Sequence, residues 1–304
     1  MSEQEPTISP EDAERSEAEK EALYQRQKEL VRQIQEAWKA KDPPQLGALF
    51  EELAKISLLR PEKGKISPEV LQQSQALYNW LGIEVDLQKE YQEGRLLLPS
   101  PEQQEGAEKA GYTFPLIVLG HLPRKELLAK VREKYASEFH SQGVLYGEQA
   151  QKDLPQTEQV QHSSRPVQSY LILLKPQREV RDAHPETMGK SALQAQEILE
   201  NLQKENPGLN LQGLTLEEYL LAQAFVCQEN QEHLEEETWT WLLEEKVREQ
   251  GNWARCLSAR WNPVTSWVGV GSYGVSDADS SGGARFAAVP TFAEASAGKP
   301  ESSP

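Results

Sequence analysis

The sequence predicts an α+β protein, with an α-helical N-terminal section followed by a domain that ends in β structure. Three observations carry this. Apolar residues recur at helical spacing up to about residue 98. Two short apolar runs, Phe114 to Leu119 and Ser169 to Leu174, are closed by Gly120 and Pro176 in the manner of buried strands. From Cys256 onward, apolar and polar residues alternate with period two in a segment rich in Gly, Ser and aromatics.

Residues 1–20 are charged, carry no aromatic residue and read as disordered. Residues 21–98 form the predicted helical section. Leu23, Gln27, Leu30, Ile34 and Trp38 share one stripe, which serves either packing on the domain itself or a short coiled coil. Asp42-Pro43-Pro44 stops that helix, and a second covers 45–58. Ser67-Pro68-Glu69 starts a third: a Ser N-cap, a Pro suited to the first turn, and a Glu at the positive end of the dipole. This helix buries Val70, Leu71, Leu77, Tyr78 and Leu81 and stops at Gly82. The composition of 99–111 reads as a linker, and 112–290 as one domain. Within the domain a helix runs from Pro123 through Tyr135, and 141–166 reads as a long loop. Helices are predicted at 190–204 and from Thr215 to about Gln231. The second opens with the capping box Thr215-Leu216-Glu217-Glu218, and Leu216, Tyr219, Leu220, Gln223 and Val226 line one side. Strands follow at Cys256–Trp261, Trp267–Val275 and Ala284–Val289, and 291–304 is a flexible tail.

The net charge of −16 argues against nucleic acid as the main partner, since phosphate binding needs a basic stripe. Mean hydropathy is −0.67, and no run of 18 apolar residues exists, so no membrane span is predicted. The N-terminus has no hydrophobic signal region, which predicts a cytoplasmic protein; surface display would need a route the sequence does not show. Cys227 and Cys256 make no disulfide framework and are expected as reduced thiols.

Catalytic and cofactor motifs are weak throughout. Gly269-x-Gly271-x-x-Gly274 matches the dinucleotide string by letter, but a strand pattern surrounds it and no helix follows to hold a pyrophosphate. His121, His140, His162, His184 and His233 have no ligand spacing. Asp277, Asp279 and Ser280 offer oxygens for a cation, with no bidentate Glu at a fixed offset. Ser258, His233 and Asp277 hold the residue types of a hydrolytic triad, without the strand–turn–helix elbow around the Ser. No enzyme activity, cofactor or metal is therefore expected. The segment from 253 reads either as a binding surface or as a plain β-hairpin whose Trp residues are all core. Trp and Tyr supply large contact area at low entropic cost, and Ser and Gly supply adaptable hydrogen bonding. Leu257, Ala259, Trp261, Val268 and Val270 form the opposite, core-directed face.

The run Leu214-Thr215-Leu216-Glu217-Glu218-Tyr219-Leu220-Leu221, then His233-Leu234 and Thr238-Trp239-Thr240-Trp241-Leu242, carries a resemblance. So do Arg255-Cys256-Leu257, Trp261-Asn262-Pro263, Val268-Gly269-Val270 and Gly283-Ala284-Arg285-Phe286-Ala287-Ala288-Val289, with LIVLGHLPRKELLAKVREKY and SYLILLKP upstream. In these the chain resembles the variable proteins of bacterial and archaeal diversity-generating retroelements, which end in a C-type lectin fold. The resemblance covers roughly 114–289, best 213–289. The chain departs from the pattern by continuing past Val289 and by its short Ser/Asp loop.

The resemblance implies a C-type-lectin-like ligand-binding domain at 112–290, whose last coding segment is rewritten by error-prone reverse transcription. Carried over, Trp261, Pro263, Val268, Val270, Gly283, Arg285 and Ala287 would bear the fold. The variable, ligand-binding face would be Ser258, Arg260, Ser266, Trp267, Gly269, Tyr273, Ser276, Asp277, Asp279 and Ser280. The implied partner is a protein or surface ligand of unknown identity. Two other functions stay open: a scaffolding protein that forms a homo-oligomer through 21–41, and an enzyme of the sulfatase-modifying lectin-like fold. The latter would need paired reactive cysteines, and Cys227 and Cys256 lack a partner motif.

Overall fold

The computed structural model describes residues 64–139, 143–161, 165–166, 168–249 and 252–291, together with Arg26, Glu29 and Gln33. The chain divides into two units. One is Glu62–Phe292; the other, Met1–Pro61 with Ala293–Pro304, falls almost wholly outside the described residues. The expectations for 1–20, for the 21–41 stripe, for the helix at 45–58 and for the tail after Thr291 lie there too.

Glu62–Phe292 is a mixed α+β unit built on two sheets. Its first helix, α1 (Pro68–Trp80), begins as the sequence predicts: the Ser67 side chain accepts from the Val70 N–H, and Pro68 opens the first turn. Leu71, Leu77 and Tyr78 are buried, and Gly82 beyond the end has φ of 68°. A short α2 (Leu87–Gln92) follows, capped by Asp86.

The predicted linker at 99–111 is corrected. Residues Pro101–Lys109 form α3, closed by a reciprocal capping box between Ser100 and Gln103 and anchored by the fully buried Ala107. Its polar surface reads as linker by composition, while the Ser-Pro-Glu-Gln start signal is local and favours a helix. The long loop at 141–166 is also corrected. It contains the strand β2 (Val144–Tyr146) and the helix α5 (Glu148–Gln161). A helix with few apolar residues and a Pro inside it hides from periodicity. It is tied to the domain by a polar contact: the buried Asp153 carboxylate accepts from Arg255 Nε at 3.1 Å and Ser272 Oγ at 2.6 Å.

The remaining elements are β1 (Phe114–Val118), α4 (Arg124–Phe139), β3 (Tyr170–Leu174), a short α6 (Val180–Ala183), a 3-10 turn at Pro185–Thr187, α7 (Ala192–Glu205), β4 (Leu211–Gly213), α8 (Leu216–Asn230), β5 (Trp239–Glu249), β6 (Asn252–Asn262), β7 (Trp267–Gly274), β8 (Gly282–Ala284) and β9 (Phe286–Ala288). One sheet is antiparallel in the order β1-β3-β9-β4. The other has the order β2-β7-β6-β5-β8, antiparallel at its centre with a parallel strand at each edge. Free strand edges invite mispairing, and here side chains occupy them. Tyr78 Oη donates to Ile117 O at 2.7 Å beside β1, Gln203 Oε1 accepts from Leu211 N at the start of β4, and Thr187 Oγ1 bonds both Ala284 N and Ala284 O on β8.

α8 opens with the predicted capping box between Thr215 and Glu218. The single apolar stripe expected for it is corrected. Leu221, Ala222, Ala224 and Phe225 are buried as well as Leu216, Tyr219, Leu220 and Gln223, so the helix is covered almost all round. Its N-terminus gathers buried carboxylates where the helix dipole favours them. Glu217 and Glu245 pair with Arg124, and Glu218 with Arg165 and Tyr170 Oη.

The predicted strand Ala284–Val289 is two strands. The chain leaves one sheet after β8 and enters the other at β9, and Arg285 stands at the crossing. Its buried guanidinium donates to Glu235 Oε1 at 2.9–3.0 Å and to the carbonyls of Gln177 and Arg178. Glu235 completes the clasp by accepting from Val180 N and Thr238 Oγ1.

Candidate binding face

β6 and β7 pair in a register that sorts their side chains cleanly. Ala259 lies opposite Val270 and Trp261 opposite Val268, and all four are buried, as is Leu257 opposite Ser272. Trp261 stacks on the His233 ring with centroids 3.6 Å apart and packs against Tyr135 and Phe139. On the other face, Arg260 lies opposite Gly269, Ser258 opposite Gly271 and Asn262 opposite Trp267. Leu145 of β2 joins the Gly269 row and is exposed.

The outer face forms an open cleft of about 390 Å³. Trp267, Gly269, Gly271 and Tyr273 of β7 line it with Arg260 and Ser258 of β6, Trp239 of β5, and Asp279. Arg260 is exposed, Tyr273 is 50% exposed, and Trp267 is half-buried. Asp279 accepts from Ser281 N at 2.8 Å and from Ser281 Oγ. The Ser281 hydroxyl, then its N–H, holds the Asp279 carboxyl below the usual carboxylate range, so it is ionised at neutral pH.

Of the ten predicted face residues, Ser258, Arg260, Trp267, Gly269, Tyr273 and Asp279 come together at this cleft. Ser258 is a correction as a solvent-facing position: it points to the outer face but is 4% exposed. The other four stand apart from the cleft lining. Ser266 turns the β6–β7 hairpin with φ of 53°, and Ser276, Asp277 and Ser280 are exposed in the following loop. Asp277 Oδ2 accepts from Gly274 N at 2.8 Å, a turn-forming bond. Of the residues implied to bear the fold, Pro263 is exposed in the hairpin turn, while Trp261, Val268, Val270, Gly283, Arg285 and Ala287 are buried. Alternation places Gly271 on this face with Trp267, Gly269 and Tyr273, as the structure has it, whereas sequence reasoning missed Trp239, Asn262 and Leu145 as cleft residues. The alternating Trp239-Thr240-Trp241-Leu242 was the available signal for β5, with Trp239 and Trp241 sharing one face.

The triad residue types do not assemble. His233 lies beneath the core face of β6, Ser258 lies on the outer face, and Asp277 caps its own turn. Burial lowers the His184 and His233 pKa values to about 4. Gln223 suits a neutral His233: its Oε1 accepts from Leu234 N, which turns its Nε2–H toward His233 Nδ1 at 2.9 Å. Burial pushes the Cys227 thiol up to about 11 and that of Cys256 higher. Among the described residues, no group of three His, Cys, Asp or Glu side chains is placed to hold a metal ion, and no helix is long and apolar enough to cross a membrane.

Comparison with protein-family models, with curated proteins and with solved structures returned no match.

Proposed function

We propose that this chain is a ligand-binding protein that presents an exchangeable surface on a C-type-lectin-like scaffold, as a variable protein of a diversity-generating retroelement. One observation supports the reading: along β6 and β7, Arg260, Trp267, Gly269 and Tyr273 of the set expected to vary lie on the face opposite Trp261, Val268 and Val270 of the set expected to hold the fold. Arg260, Trp267, Gly269 and Tyr273 line one open cleft, while Leu257, Trp261 and Val268 are buried away from it and the buried Ala259 and Val270 border it. A scaffold of this kind tolerates exchange on one face where side chains such as that of the exposed Arg260 add little to the core packing. The partner is a protein or surface molecule, recognised by aromatic area with Arg260 and Asp279 at the rim. Nothing in the cleft calls for a cofactor.

Two measurements test this. The DNA around the gene should hold a near-copy of the stretch encoding 255–289, differing at adenines; a neighbourhood with no such copy and no reverse transcriptase gene removes the retroelement reading. Separately, a partner selected against the full chain should be lost when Arg260 and Trp267 are together replaced by Ala, with the melting transition retained. A partner that binds this variant as well as the parent places recognition elsewhere.

A further inference from the structure

We propose that the cleft contains a subsite for one planar aromatic group, on the face of Trp239, which the chain's own Tyr273 fills in this structure and which an aromatic side chain of the partner takes over. The proposal rests on the cleft being the binding face and names the chemistry it recognises.

Two indoles build a fixed corner. Trp239 and Trp241 meet edge to face, with centroids 4.5 Å apart and planes at 82°. Trp241 is fully buried, and its Nε1–H donates to Lys190 O at 3.0 Å, so it does not move freely. Trp239 is backed by Gly282. A Cβ at that position would come within 2.3 Å of the indole, so the ring sits where it does because residue 282 has no side chain. This corner is set by β5 and β8.

The third ring comes from β7. Tyr273 lies 5.9 Å from Trp239 at 27° and 6.2 Å from Trp241 at 82°. Its ring also covers Gly271, where a Cβ would fall 2.6 Å from it. Tyr273 therefore occupies a slot with two aromatic walls and a bare backbone floor. Yet the residue is half-exposed, and no hydrogen bond to the described residues holds its hydroxyl. Stacking alone retains it, so rotation of its side chain opens the slot to solvent. What then fits is another flat ring of similar size. The indole faces carry a quadrupole that an offset or edge-on aromatic ring meets more favourably than a saturated ring of similar size does. Tyr273 is the chain's own stand-in for that ligand group.

The test uses the full chain with Tyr273→Ala and two probes, p-cresol (the Tyr side chain itself) and its saturated analogue methylcyclohexanol. Binding is read from the indole N–H signals and Trp fluorescence. The variant should bind p-cresol saturably and about fivefold more tightly than methylcyclohexanol, the preference expected of one aromatic pair. The parent should show no saturation over the same range, because Tyr273 occupies the slot, and adding Trp239→Leu to the variant should abolish binding. Absence of saturation in Tyr273→Ala, or equal binding of the two probes, overturns the subsite. Should the Ala variant fail to fold, Tyr273→Leu keeps an apolar cover over Trp241. It should bind p-cresol more weakly with the same preference, and loss of that preference is equally decisive. A partner that depends on Arg260 and Trp267 while p-cresol fails leaves the binding face standing and removes the aromatic subsite alone.

Discussion

Trp261 and Trp267 end neighbouring strands but meet different surroundings. Trp261 is 3% exposed, stacked on His233 and enclosed by Tyr135 and Phe139, whereas Trp267 borders the open cleft. Replacing Trp261 by Ala should cost about 3–5 kcal/mol, the usual loss for an emptied aromatic core site. Trp267→Ala should cost less than about 1 kcal/mol, as surface changes do. Denaturant unfolding of the two variants checks this, and equal losses would mean that the two faces are wrongly assigned. The glycines divide in the same way. A Cβ at Gly269 meets nothing closer than Arg260 O at 4.0 Å, while one at Gly282 strikes the Trp239 ring. Gly269→Ser should therefore leave stability nearly unchanged, and Gly282→Ala should destabilise by about 1–3 kcal/mol through overpacking. A melting temperature that falls for Gly269→Ser and not for Gly282→Ala would contradict the geometry of both sites.

Among the elements, β8 and β9 carry the connection on which the architecture turns. Three consecutive residues pair in one sheet, Arg285 crosses, and the next three pair in the other. Arg285 neutralises Glu235, which is wholly buried, and satisfies carbonyls of the 175–178 segment. Removing the guanidinium leaves a buried carboxylate unpaired, at a cost of about 3–5 kcal/mol. Arg285→Ala should lower stability by that amount and speed amide exchange at Phe286–Ala288 ahead of β6 and β7. Unchanged exchange there would show that the crossing is held by packing rather than by the ion pair. The capping boxes at Ser100, Ser191 and Thr215 act at the same scale. The boxes at Ser191 and Thr215 stand at or beside the starts that the sequence predicts at 190 and 215, whereas the Ser100 box lies in a segment whose composition reads as a linker.

Across the whole unit, two buried neutral imidazoles link stability to pH. His184 and His233 have folded-state pKa values lowered to about 4 from 6.5. Their contribution is fully present above pH 6.5. As pH falls toward 4, the unfolded chain takes up protons that the folded chain refuses, and stability declines by about 1.4 kcal/mol per pH unit for each group. Unfolding free energies measured from pH 7 to 4 should show this slope, and His184→Gln should flatten it. A slope identical in that variant would assign the loss to other groups. Assembly is a separate matter: if 21–41 pairs chains, sedimentation should give a multiple of the monomer mass for the full chain and a single monomer mass for residues 62–292, and monomers in both cases remove the coiled coil.

Local chemistry was enough to read the helix starts at Ser67 and Thr215, the apolar strands at 114–118 and 170–174, and the alternation that sorts β6 from β7 into two faces. Each of these signals is contained within a few neighbouring residues: a cap, an apolar run, a period of two. The tertiary structure alone decided where those faces lead. Ser258 alternates with the surface set but is 4% exposed, with Trp241 of β5 and Gly271 of β7 as its strand partners. α8 is covered all round because other elements pack on both of its sides. α5 is recognisable only from Asp153 meeting Arg255 and Ser272, groups far away in sequence. Trp239 enters the cleft because β5 lies beside β6, and Gly282 makes room for its ring. Burial and convergence depend on long-range pairing, and no window of the sequence contains both partners of such a pair.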